Sequence, residues 1–414
     1  MMTSKKRKRK RRNKERRTRL WIFAVAAVLV AALAYLFFSG WLDQWAGRRS
    51  RYSLEASGVT VPFSGESETV VGGLGNLVLR VNGAGVRAVD PRGETAWDIG
   101  FSMDDPHLAV AGNYLAVADY GGQTVVIADA QGHSSEIGFA AGDRIMFHSV
   151  SESGELILVS LGEKENELSV YAGKADETGL NWIRYEKVLS RRTYQAKDGI
   201  PLAAALSADG KRLVTSYFQY YGSRFQSVLT CFDLSAAGAD LVDRILGSVQ
   251  LPDELVTELS FCGGSCLFAS DSSFGALSVD KGCALAWQNV PEWKLSAAVI
   301  GEDSIAVALG ERKAGSAKEA EKNFFIYNKE GSEVYAASVG EVSSLTCNAG
   351  IYVCGSDHFY TAVSGRGKNL WSYDCPRDFA KLIALADRKT VAARGSDGLV
   401  FYQVKEIMEA VTDD

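Results

Sequence analysis

One unit recurs along most of the chain, and a recurring unit leaves few folds to choose from. Each copy is a β-run, a turn, a second β-run ending near a polar residue, a Gly-containing turn, and a third run that often holds Trp or Tyr. The clearest copies are LVLRVNGAGVRAVDPRGETAWDI (77–99), LAVADYGGQTVVIADAQGHSSEI (115–137), CLFASDSSFGALSVDKGCALAWQNV (266–290) and IYVCGSDHFYTAVSGRGKNLWSYD (351–374). Weaker copies place their second run at 167–174, 227–238, 323–337 and 399–404. These second runs end near Asp90, Asp129, Ala172, Asp233, Asp280, Asn328, Ser364 and Val404, seven intervals over 314 residues, or about 45 each. A period of 40–50 with four short strands per unit is that of a β-propeller.

The expected fold is therefore all-β: an eight-bladed β-propeller, or a seven-bladed one if a weak copy is a loop excursion, preceded by one transmembrane helix. The runs are rich in Val, Leu, Ala, Tyr and Phe and bounded by Gly, Asn, Asp and Ser, as strands are. The last unit offers FAKLIAL, TVAARG and LVFYQV and then runs out of chain. Residues 52–61 (YSLEASGVTV) form a strand-like run ahead of the first unit. That N-terminal strand is expected to complete the last blade and close the ring, removing an open sheet edge.

Residues 20–38 (LWIFAVAAVLVAALAYLFF) are nineteen apolar residues without a charge. As a helix they reach roughly 28 Å, close to a bilayer's hydrocarbon thickness. Twelve Lys and Arg precede them within nineteen residues, against one acid, Glu15. The positive-inside rule then puts the N-terminus in the cytoplasm and the repeats outside. Trp21, Tyr35, Trp41 and Trp45 fit aromatic belts. A cleaved signal peptide would have a shorter apolar core and a small-residue cleavage site, and neither is present. The expected organisation is a basic cytoplasmic tail (1–19), a transmembrane helix (20–40), a linker (41–51), the propeller (52–406) and a C-terminal tail (407–414). The expected location is the cell membrane, single-pass, with the propeller extracytoplasmic.

Beyond residue 19 the chain keeps 33 basic and 49 acidic residues. An outer domain so acidic is not built for nucleic acid. The basic tail, next to a membrane segment, suits topology and anionic lipid head groups. The absence of any Asn-x-Ser/Thr sequon leans towards a bacterial protein. All seven Cys lie between Cys231 and Cys375. Two pairs flank short turns, Cys262 with Cys266 and Cys347 with Cys354, and either could bridge a hairpin. The alternative is small buried residues in strands.

Trp in GETAW (93–97), GCALAW (282–287) and GKNLW (367–371) resembles quinoprotein-like propeller repeats, and LSADGKRLVTSY (206–217) resembles the Ser-x-Asp-Gly turn of WD40-like repeats. With the basic tail and apolar segment, the whole resembles an uncharacterised family of membrane-anchored propellers from Gram-positive, clostridium-like bacteria. Residues 206–234 are the stretch most like it. The resemblance implies a fold and a location, and no reaction.

Catalytic signatures are not evident. There is no adjacent Cys pair or calcium loop of the quinone-dependent dehydrogenase kind. The four His are scattered without zinc spacing. No Gly-x-Ser-x-Gly elbow occurs, and GAGVRA (83–88) sits in a strand–turn–strand where no helix follows. Asp104-Asp105 reads as a solvated turn. No catalytic residue, metal site or cofactor is therefore expected. The insertions point to binding. One unit carries Tyr217, Tyr220, Tyr221, Arg224 and Phe225, with Arg191 and Arg192 in the connection before it; another carries the charged stretch 310–323. Tyr, Phe and Arg are common interface anchors. The expected role is a binding or scaffold module for an envelope protein or polysaccharide. The alternative is a glycan-cleaving hydrolase or lyase that draws acids from separate blades.

Overall fold

A computed structural model describes residues 51–63, 70–138, 144–175, 183–312, 322–356, 358–375 and 379–407. Tyr52–Lys405 form one unit. It holds eight four-stranded sheets, each a simple antiparallel meander. In chain order the blades span 70–100, 106–138, 144–194, 200–252, 256–289, 293–337, 342–374 and 381–407. The first seven are continuous in sequence. The eighth takes its outermost strand, Arg51–Pro62, from the start of the unit.

The innermost strands of successive blades touch all the way round, including the first against the eighth. Hydrophobic burial is organised by the seams between blades. Each of eight core clusters joins two neighbours, such as Leu79 and Val86 with Leu115 and Val126, or Ala306 and Phe324 with Tyr352 and Val363. A blade thus buries both faces. This is why the second and third strands read as unbroken apolar runs rather than alternating ones. Leu115–Ala118 and Val125–Ala128 are buried without interruption.

In four blades the polar residue at the end of the third strand has a local job. The Asp90 carboxylate accepts from the amides of Arg92 and Glu94, both at 2.9 Å. Asp129 accepts likewise from Gln131 and His133, Asn328 from Ser332 and the Ser364 hydroxyl from Lys368. Such Asx and Ser turns aim the chain into the outermost strand. The docking Trp follows from the same turn. Trp97 donates its indole N–H to Ala130 O at 3.0 Å in the next blade's turn, and Trp287 donates to Lys329 O at 2.8 Å. Gly132 lies under Trp97 at φ 87°, where an added Cβ would come within 2.6 Å of the ring, so only glycine serves there.

The closing strand is bonded and packed like any other. Phe63 donates its amide to Asp397 O at 3.0 Å, the Ser57 hydroxyl donates to Phe401 O at 2.8 Å, and Lys405 pairs with Glu55. Leu54 is buried against the seventh and eighth blades. Val59, Val61 and Phe63 cover the seam between the eighth and the first. Removing residues 51–63 strips these side chains from two seams, a loss on the order of 5 kcal/mol by apolar burial. A propeller beginning at residue 64 should therefore melt earlier and aggregate more than one beginning at residue 48. Denaturant melts of the two proteins check this, and equal midpoints would contradict it.

Candidate binding surfaces

A four-stranded meander sends its two kinds of turn to opposite ends. Turns between second and third strands share one end with the blade-to-blade connections. Turns between first and second strands share the other. The ring therefore has two chemically separate faces.

On the connection face the fourth blade carries a long hairpin. Its second and third strands, Arg212–Tyr221 and Arg224–Asp233, are ten residues each and pair in register to the tip, Tyr220 opposite Phe225 and Tyr221 opposite Arg224. Gly222 opens the two-residue turn at φ 63°, which a glycine adopts without strain. The Gln219 amide donates to Asp198 O at 3.1 Å, and Asp253 donates its amide to Phe225 O at 3.0 Å, so connections on both sides brace the hairpin. Tyr220 is 65% exposed. Arg224 is exposed beside it. Phe225 is half-buried, its ring 6.0 Å from that of Phe218. The Tyr221 side chain and residues 313–321 of the charged insertion lie outside what is described.

Two of the sequence candidates are not surface anchors. Tyr217 is 4% exposed and belongs to the core between the third and fourth blades. Its hydroxyl pKa is pushed up to about 12, chiefly by burial. Arg191 is a strut: its guanidinium lies over Phe232, 5.0 Å from the ring centre, and donates to Asp243 O at 3.0 Å. It thus does between these blades what indole N–H groups do elsewhere. Arg192 remains outside, 72% exposed and 4.0 Å from Glu165. In this same seam Asn166 Oδ1, Arg191 Nε, Thr215 Oγ1 and the Tyr217 hydroxyl are buried without a hydrogen bond, the four such side-chain atoms among the described residues. The Tyr217 hydroxyl faces both Arg191 and Thr215, so these groups form one polar cluster inside the seam beneath the hairpin.

On the opposite face the ring opens into a funnel of about 600 Å³. All eight blades contribute to its wall, which mixes apolar side chains such as Val110, Leu259 and Phe261 with polar ones such as Asn113, Ser151 and Ser260. Glycine lets the turns crowd the mouth: a Cβ on Gly301 would come within 2.4 Å of the Tyr352 hydroxyl. Glu152 and Glu302 stand at the mouth on the third and sixth blades. The Glu152 carboxyl is held above the usual carboxylate range by burial and by the like charge of Glu302. Cys347 also lines the funnel, its thiol pushed up to about 12 by burial and by Glu302. A thiol so protonated is a poor nucleophile at neutral pH. Among the described residues no three His, Cys, Asp or Glu gather as a metal site would require.

Neither hairpin disulfide forms. Cys262, Cys266, Cys347 and Cys354 are free thiols. Cys262 sits opposite Ser265 and Cys266 opposite Phe261, so the two thiols enter different seams, on opposite faces of one blade. Cys347 faces Tyr352 while Cys354 faces Leu345, a diagonal placement too wide for a bridge. The disulfide is instead Cys231–Cys283, Cα–Cα 5.6 Å, joining the fourth blade to the fifth.

Two of the scattered histidines converge. His107 stacks on Tyr120 with ring centres 3.8 Å apart, and His148 meets the edge of the same ring at 5.6 Å. His148 Nε2 lies 3.1 Å from Ala116 O and must donate to it, leaving Nδ1 to accept from the Tyr120 hydroxyl at 3.2 Å. Asp104 and Asp105 give their amides to the Asp119 carboxylate, so that pair is a turn. Burial, with the neighbouring His107, pushes the His148 pKa down to about 4. The unfolded chain then takes up the proton first, and stability falls as pH drops from about 6.5 towards 4. The loss should approach about 1.4 kcal/mol per pH unit in that window. Urea titrations across pH should show this slope, and His148→Asn should flatten it. An unchanged slope would contradict the assignment.

Among solved structures, the Dos1 propeller is similar at 12% identity and TM-score 0.51, covering 83% of this chain and 95% of that one. Sqt1 from Chaetomium thermophilum is similar at 10% identity and TM-score 0.50, covering 86% and 99%. At such identities the likeness is one of fold. No curated protein matches the chain in sequence. A family model described as "Family of unknown function (DUF5711)" matches residues 50–399, and the chain belongs to that family.

Proposed function

We propose that this protein is a single-pass membrane protein whose propeller works outside the cytoplasm as a binding module for an envelope protein. The observation that carries the reading is the braced hairpin of the fourth blade, a rigid projection that exposes Tyr220 and Arg224 with Phe225 behind them. Amphipathic aromatics and Arg are what protein interfaces use as anchors. The location is supported by the charge asymmetry about residues 20–38, which lie outside the described residues. Among those described, no helix is long and apolar enough to cross a membrane. A disulfide between Cys231 and Cys283 also suits an oxidising compartment. Aromatic faces also stack on sugars, which keeps an envelope polysaccharide as the second reading.

An export-dependent reporter fused after residue 414 should be active, and protease added to intact wall-stripped cells should reach the propeller. Cleavage only after lysis would reverse the orientation. For the partner, crosslinking in intact cells from position 220 should capture one protein. Tyr220→Ala and Arg224→Ala should each weaken its binding by about 2 kcal/mol without changing the melting temperature. Capture of glycan alone would favour the polysaccharide, and variants that bind as well as wild type would remove the hairpin from the interface.

A further inference from the structure

The strand that closes the ring also decides at which end the chain enters it. Phe63 donates its amide to Asp397 O, in the turn between the second and third strands of the eighth blade. That turn belongs to the connection face, so Arg51–Pro62 finishes there and begins on the funnel face. Near its beginning Glu55 pairs with Lys405, close to where the third strand, Gly398–Ile407, runs out. Arg51–Pro62 is the outermost strand of its blade, so the chain enters at the rim and not on the axis. The fourth-blade hairpin is removed from this entry point in both directions the ring allows. Along the axis it stands on the other face. Around the ring it belongs to the fourth blade, four steps from the eighth whichever way the blades are followed.

Chain length restricts the alternatives. Between the end of the expected transmembrane helix at residue 40 and Arg51 lie ten residues, 41–50. Fully extended, such a linker reaches about 35 Å. The twelve-residue strand that follows is itself roughly 40 Å long at the usual rise. A linker shorter than the strand cannot lift Arg51 through the depth of the ring, so turning the connection face to the bilayer would press the hairpin into it. We propose that the propeller stands with its funnel face towards the membrane and presents the hairpin of the fourth blade away from it. The partner of Tyr220 and Arg224 is then a protein met on the outer side of the envelope, not one embedded in the bilayer beside the anchor. This orientation rests on reading residues 20–38 as a membrane anchor and adds to that reading a direction of approach for the partner.

The test uses the full chain in phosphatidylcholine–phosphatidylglycerol vesicles that carry a rhodamine-labelled lipid. A donor dye is coupled through a non-natural amino acid at position 220 or at position 281. Lys281 is exposed in the turn between the third and fourth strands of the fifth blade. A meander sends that turn to the funnel face, so positions 220 and 281 lie in adjacent blades and differ in which end of the ring they mark. Energy transfer to the lipid should be at least twofold more efficient from 281 than from 220. Equal transfer, or more from 220, overturns the proposal. Flotation of the vesicles tells this failure from that of the anchor: a chain that floats but transfers equally keeps its anchor and loses the orientation, and a chain that does not float loses both. Melting curves matching that of the unlabelled chain would show that both labelled proteins are folded.

Discussion

The ring depends on one condition: every sheet must be covered on both faces. No blade has a solvated face, so none is stable without two neighbours. Seven blades meet the condition by following one another in sequence. The eighth meets it only because residues 51–62 return from the other end of the unit to serve as its outer strand. The energetics are therefore those of a closed set of eight similar seams, held by apolar contact and tied at the rim by indole and guanidinium groups that donate to a neighbouring turn.

Much of this architecture was legible because its signals are local. Asp90, Asp129, Asn328 and Ser364 reveal the period because each caps its own turn within four residues. The innermost strands were the least visible, because in most blades no capped turn marks their end as one marks the end of a third strand. What lay beyond the sequence is what depends on the seams. With both faces buried, a two-residue alternation cannot tell which side of a strand meets solvent at its tip, so Tyr217 and Tyr220 read alike and end up in opposite environments. The same blindness hid the pairing of Cys231 with Cys283, the meeting of His107 and His148 around Tyr120, and the convergence of Glu152 and Glu302. None of these pairs is close in the chain.

The two ends of the ring differ in kind. The connection face carries length and aromatic side chains on a braced hairpin. The other carries a small opening whose wall mixes apolar and polar side chains, with Glu152 and Glu302 at its mouth. A ring with unlike ends can hold two different molecules without their competing for space. That property belongs to the scaffold and not to any single loop.

The closing strand is also the segment joined covalently to the first fifty residues. Whatever acts on the chain ahead of Arg51 therefore acts first on the strand that closes the ring. The propeller's attachment and its closure share one set of backbone bonds, those to Gly398–Ile407.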